Sequence, residues 1–283
     1  MRMSATKRKV EYAIISDVHL GTYGCHAKEL RRYLKSIKPK HLILNGDFVD
    51  IWQFSKRYWP KSHMKVIKTI MDMALSGTKI HYITGNHDEM LRKFAGTKLG
   101  NIEITNKMLI NVNGEQVWIF HGDVFDVTMQ HARWLTKLGA TGYDILILLN
   151  RFINSILVSI GRERISLSKR IKNSVKSAVK FINQFEDLTA SLAIENGYQR
   201  VICGHIHQPE IRLMKQSQGE VIYMNSGDWV ENLTSIEFAN GEWSLKRFDE
   251  EWNDFDLDIE EEHDLDSKRL FSELLLEFKL TTA

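Results

Sequence analysis

The sequence predicts a mixed α/β fold, and three observations carry that expectation. Short apolar runs ending in polar residues recur along the chain. Segments of helical periodicity separate the early runs, and the late ones follow one another with no helix between them.

Tyr12 to Ser16, His41 to Asn45 and Ile80 to Thr84 read as the first strands, and Gln116 to His121 and Arg200 to Cys203 continue the series. Ala27 to Ile37 and Met64 to Leu75 carry apolar residues at helical spacing and are expected to cover the sheet faces. Around Ile211 to Met214, Val221 to Met224, Leu233 to Phe238 and Trp243 to Arg247 the strands are close enough to pair as antiparallel hairpins, so the sheet system is mixed. Between Phe125 and Asn196 the strand pattern stops. Ile145, Leu149, Phe152, Ile153, Ile156 and Ile160 share one helical face, and Ile171, Val175, Ala178, Val179 and Ile182 share another. The expected organisation is a core from residues 1–124 and 197–248, a helical insertion over 125–196 acting as a lid, and an acidic tail over 249–283 with a short amphipathic helix at Leu270 to Leu280.

At 283 residues and 43% hydrophobic content the chain can bury a substantial core. Lys and Arg number 38 against 36 Asp and Glu, so net charge alone suggests no polyanionic partner. Basic residues concentrate instead in one segment: Arg151 to Lys180 has eight of them and a single acid, Glu163, whereas Asp249 to Asp266 has eleven acids and no Lys or Arg. That concentration argues against a nucleic-acid groove. Cys25 and Cys203 form no paired motif, so no disulfide framework is expected and a reducing, cytoplasmic setting is. The basic start runs directly into the first strand, without the pattern of an export signal. The apolar run Ile145 to Ile160 is interrupted by Asn150, Arg151 and Asn154 and is not expected to cross a bilayer.

Each of five predicted strands ends in metal-capable residues: Ser16-Asp17-Val18-His19, Gly46-Asp47, Gly85-Asn86-His87-Asp88, His121-Gly122-Asp123 and Gly204-His205-Ile206-His207. Any one cluster reads equally well as a satisfied turn. Five together, at the carboxyl ends of strands, converge where α/β sheets bind ligands. Imidazole and carboxylate suit manganese, iron or zinc.

The order of these clusters resembles the calcineurin-like metallophosphoesterase superfamily, whose pattern is D-x-H, G-D, G-N-H-D, H-G and G-H-x-H; the match spans Tyr12 to Trp229. The resemblance implies a four-layer αββα sandwich with mixed sheets and an inserted helical lid. It further implies two divalent metal ions, manganese first, with iron or zinc fitting the same ligands. Asp17, His19, Asp47 and His207 would hold one ion, and Asp47, Asn86, His121 and His205 the other, Asp47 bridging. His87 would bind phosphate or protonate the leaving oxygen, with Asp88 orienting it. A scaffold that had lost its chemistry would show a missing ligand, and all seven positions are filled.

Within the superfamily the chain looks most like the UDP-2,3-diacylglucosamine diphosphatase family of lipid A synthesis, through ISDVHLG, NGDFVDIW, TGNHD, FHGDVFD, CGHIHQP and MNSGDWVEN. This implies a lipid-linked sugar nucleotide as substrate, cleaved to UMP and 2,3-diacylglucosamine 1-phosphate; the alternative is another phosphomonoester or phosphodiester. Well-known members carry Arg after the metal-binding Asn, where this chain has His87. Asn86, Arg164, Lys169, Arg170, Lys172 and Lys176 are candidates for substrate contacts. The insertion's apolar faces would serve acyl chains, pack on each other, or rest peripherally on an anionic membrane surface. Asp123 and Asp126 read as partners that orient His121 or as surface caps, and Tyr23, Trp52 and Trp59 as mouth or core residues. His26, His41, His63, His81, His131 and His263 fall outside the motifs and read as structural or exposed.

Overall fold

The computed structural model describes residues 6–51, 58–126 and 168–249, with side chains of its last helix described from residue 179. Strands β1 (Arg8–Ile15), β2 (Ile37–Asn45) and β3 (Lys79–Ile83) are parallel neighbours, linked by helices α1 (Ala27–Ser36) and α2 (Lys61–Leu75). They form the centre of a seven-stranded sheet, which adds β4 (Lys98–Leu99) and β5 (Ile102–Thr105) at one edge and β11 (Thr234–Ala239) and β12 (Glu242–Arg247) at the other. A second, five-stranded sheet has the order β6 (Lys107–Val112), β7 (Glu115–Phe120), β8 (Arg200–Cys203), β10 (Gly219–Asn225), β9 (Glu210–Gln216). In it β7, β8 and β10 run parallel.

The period-2 alternation of each central strand builds the layers. Ala13, Ile15, Leu42 and Leu44 face α1 and α2, meeting Leu30, Tyr33, Leu34, Val66 and Ile70. The intervening Ile14 and Ile43 face the other way, against Val117, Ile119, Ile202 and Met224 of the second sheet. Beyond that sheet lies α3 (Ser168–Glu195), whose Phe185, Ala190 and Ala193 pack on Val201, Cys203 and Tyr223. The result is the expected four-layer αββα sandwich with mixed sheets. The C-terminal half of α3 fell within the expected insertion, and it forms the fourth layer of the core. Residues 127–167 of that segment, His131 among them, the acidic tail beyond residue 249, and Trp52 and His263 lie outside the described residues. Among the described residues no helix is long and apolar enough to cross a membrane.

Three histidines away from the motifs are structural. His63 Nδ1 accepts the Gly21 N–H at 3.0 Å, and His41 Nδ1 pairs with His81 Nε2 at 3.0 Å across β2 and β3. Burial pushes His63 down to about 4, and burial with the charges of His81 and Lys79 does the same to His41. An unfolded chain takes up these protons near pH 6.5, the folded one near 4. The stability they contribute is therefore present above about pH 6.5 and lost as pH falls toward about 4. The melting temperature of wild type relative to His63→Gln is expected to drop by several degrees across that window; a constant difference in calorimetry would refute the assignment.

Candidate metal centre

Three parallel strands of each sheet end at one rim, and the loops that leave them carry the motif residues. β1 leads to Asp17 and His19, β2 to Asp47, β3 to Asn86 and His87, β7 to His121, and β8 to His205 and His207. Asp17, His19, Asp47, His205 and His207 all adopt left-handed backbone conformations, with φ between 52° and 67°. Such a conformation costs of order 1–3 kcal/mol at each non-glycine residue and persists where the surroundings over-determine it. Asn113 and Asn240, which share it, stand before glycines in hairpin turns, where it is ordinary.

Two groups form. The ligand atoms of Asp17, His19 and His207 lie within 4.8 Å of one another, as do those of Asp47, His121 and His205. His207 Nε2 is 3.1 Å from Asp17 Oδ1, and the His205 N–H donates to Asp17 Oδ2 at 3.0 Å. His121 Nδ1 donates to the Asn45 carbonyl at 2.8 Å, which fixes the tautomer and leaves Nε2 as the ligating atom. That Nε2 is buried and makes no hydrogen bond, although it lies 3.2 Å from Asp47 Oδ2; the buried Asn86 Oδ1 likewise has no hydrogen-bond partner. Unsatisfied buried acceptors on two predicted ligands are what a cation would occupy, so the donor set fits a pair of divalent ions.

The electrostatics agree. Burial alone would raise the Asp17 carboxyl, but the charges of His207 and His121 outweigh it and hold it at about 2. Asp47 is held below the ordinary carboxylate range against the same burial, chiefly by His121. Burial lowers His207 and His121, yet Asp17 lifts His207 to about 9 and Asp47 lifts His121 well above its usual value. The buried carboxylates thus draw positive charge into the rim, and bound cations would displace these protons.

Sequence reasoning misassigned one carboxylate and missed another. Asp88 does not reach His87: fully buried, it accepts the Gly85 N–H at 2.6 Å, the Phe48 N–H at 3.0 Å and the Tyr82 hydroxyl at 2.6 Å, and so anchors the loop. The two residues lie in the turn that leads into the 3-10 helix from Glu89, and their side chains leave it in different directions. The carboxylate at His87 is Asp50, whose Oδ2 is 2.8 Å from His87 Nδ1 and 3.2 Å from His19 Nδ1. Its signal was the D-x-x-D spacing after Gly46. Burial opposes a proton on His87, while the bond to Asp50 and the charge of Asp47 raise its pKa. Asp126 contacts His205 at 2.9 Å, rather than His121, and Asp123 pairs with Arg92.

Gly85 shows how tightly the centre is packed. A Cβ there would collide with Asp47 Oδ1 and the Asp47 backbone. Gly85→Ala is expected to weaken divalent-cation binding by about tenfold or more, read by calorimetric titration.

Of the other candidates, Tyr23 packs on Tyr58 with ring centres 3.8 Å apart, Trp59 packs edge-on against His63, and half-exposed His26 pairs with Glu29. Cys25 and Cys203 are free thiols; burial pushes Cys203 up to about 12 and raises Cys25 far above the ordinary thiol range. Lys169, Arg170, Lys172 and Lys176 lie on α3 in a part whose side chains are not described, and Arg164 lies outside the described residues.

The family model for calcineurin-like phosphoesterases matches residues 11–209, most of the chain and every motif cluster up to His207. The chain belongs to the calcineurin-like phosphoesterase family. As a member it is a metal-dependent hydrolase of a dimetal family. Curated relatives named UDP-2,3-diacylglucosamine hydrolase include one from Aliivibrio fischeri, 24% identical over 82% of this chain and 96% of its own length. Another, from Blochmanniella pennsylvanica, is 26% identical over 73% of this chain and 83% of its own. Among solved structures, an archaeal phosphodiesterase is 14% identical with a TM-score of 0.38, covering 83% of this chain and 98% of that one. A dimetal phosphatase from Danio rerio is 12% identical with a TM-score of 0.38, covering 83% and 95%.

Proposed function

We propose that this phosphoesterase hydrolyses the pyrophosphate bond of UDP-2,3-diacylglucosamine to UMP and 2,3-diacylglucosamine 1-phosphate, a step of lipid A synthesis. The observation behind the hydrolytic part is the meeting of two Asp/His groups in strained backbone at one rim. The substrate part is supported by the curated relatives of that name and by Trp52 and Gly227-Asp228-Trp229, features less general than the ligands.

In this reading Asp17, His19, Asp47 and His207 hold one cation and Asp47, Asn86, His121 and His205 the other, manganese being the first choice. Bound divalent cations supply Lewis-acid activation of water and neutralise charge on the phosphoryl oxygens. Asp47, grouped with His121 and His205, would be shared between the two sets in this reading. His87 is oriented through Nδ1 by Asp50, and its Nε2, 4.0 Å from Asp47, delivers a proton to the leaving oxygen. Arg164, Lys169, Arg170, Lys172 and Lys176 contact the diphosphate or uridine, and the insertion's apolar faces take the acyl chains.

The same reading makes the chain a cytoplasmic enzyme in peripheral contact with a membrane. That contact is supported by α2, whose outward stripe alternates Lys61 and Lys68 with the exposed Met64, Met71 and Leu75. A second reading, hydrolysis of another phosphomonoester or phosphodiester, is favoured by His87, which stands where well-known relatives carry arginine.

Manganese-reconstituted protein given UDP-2,3-diacylglucosamine and an aryl phosphodiester in parallel separates the readings. UMP release is expected. Turnover of the aryl ester alone would keep the metal centre and discard the lipid substrate.

A further inference from the structure

Gly227-Asp228-Trp229 lies outside the candidate ligand set, yet the loop that contains it carries the chain from β10 of one sheet to β11 of the other. Asp228, fully buried, organises this loop. Its Oδ1 accepts the N–H groups of Val230 at 2.8 Å, Glu231 at 2.5 Å and Asn232 at 3.2 Å, and its Oδ2 accepts Asn232 Nδ2 at 2.5 Å. The same amide nitrogen donates to the His207 carbonyl at 3.0 Å. On its other side the loop grips β1: Trp229 N–H donates to the Asp17 carbonyl at 3.1 Å, and Ser16 Oγ donates to the Gly227 carbonyl at 2.9 Å.

Asp17 and His207 both stand at φ 52°, a conformation their neighbours must enforce. Asp17 is held at both ends of its residue, donating its N–H to the Gly46 carbonyl at 3.1 Å and accepting from Trp229. His207 lies beyond β8, outside any strand, and among the described residues the donor found at its backbone carbonyl is the Asn232 side chain. An amide suits this place because its two N–H groups serve a carboxylate and a carbonyl together; an aspartate of the same shape has no donor.

We propose that Asn232, gripped by Asp228, is a positioning residue for His207 and sets the affinity of the Asp17–His19–His207 cation position without touching the cation. The inference rests on the two-cation reading above. Through this contact the late G-D-W segment locks the last ligand of the chain to the first.

The test titrates metal-free full-length Asn232→Ala and Asn232→Asp with Mn2+ by calorimetry, counts retained manganese after desalting, and runs wild type and Asp47→Ala alongside. Wild type should retain two ions. Each Asn232 variant should hold one tightly and bind the second about ten- to hundredfold more weakly, while its metal-free form melts within a few degrees of wild type. Two ions at unchanged affinity would overturn the proposal. So would loss of both ions together, or a metal-free fold that melts far below wild type, since either makes Asn232 a general structural residue. Asp47→Ala isolates the parent reading: if that variant also keeps two ions, the two-cation centre itself fails.

Discussion

Asp47→Ala is expected to lose turnover by at least about a thousandfold, equivalent to roughly 4 kcal/mol of transition-state stabilisation, and to retain neither cation firmly. The carboxylate has no substitute at the rim. Its Oδ1 accepts the His87 N–H at 2.8 Å, and its Oδ2 lies 3.2 Å from His121 Nε2 and 4.0 Å from His87 Nε2. It therefore touches the ligand loops after β3 and β7 while sitting on the one after β2. Steady-state hydrolysis of any accepted phosphoester, with manganese content measured on the same sample, checks both parts. A variant that still turns over would remove Asp47 from the centre.

The second large effect separates two buried carboxylates of the same region. Asp50→Asn preserves shape but withdraws the charge facing His87 and His19, so kcat should fall by most of the roughly hundredfold or greater loss expected for His87→Ala. The alkaline limb of its pH profile should move to lower pH as well, because His87 must carry a proton to donate it and the group that raises its pKa has gone. Asp88→Ala should behave oppositely. It strands the Gly85 and Phe48 N–H groups and the Tyr82 hydroxyl, at about 1–3 kcal/mol for each unsatisfied group, and should appear as a lower melting temperature of the metal-free chain. An unshifted melting point for Asp88→Ala together with wild-type kcat for Asp50→Asn would reverse the two roles.

That pair of residues also marks how far the sequence could be read. The central strands were legible because Ile14 and Ile43 alternate with Ala13, Ile15, Leu42 and Leu44, and the gathering of Asp17, His19, Asp47, His121, His205 and His207 followed from their places just beyond strand ends. What needed coordinates was direction. Asp88 and His87 are neighbours whose side chains part, whereas Asp50 reaches His87 from another loop. The short edge strands β4 and β5 carry too few residues for a periodic signal, and neither they nor β6, which begins two residues after β5, were among the expected strands. Where the end of α3 packs was hidden for a related reason. Phe185, Ala190 and Ala193 have the pattern of any amphipathic helix, and spacing alone does not say whether the apolar face meets a sheet or another helix.

The rim is also a seam in time. Asp17, His19 and Asp47 are synthesised early, but the bond from His205 to Asp17 spans 188 residues, and His207 follows still later. A growing chain on the ribosome thus carries all but one member of each group long before His205 and His207 exist. If the proposed ligand set holds, the centre is complete only once the loop after β8 closes against Asp17, and a product that ends before that loop lacks both histidines.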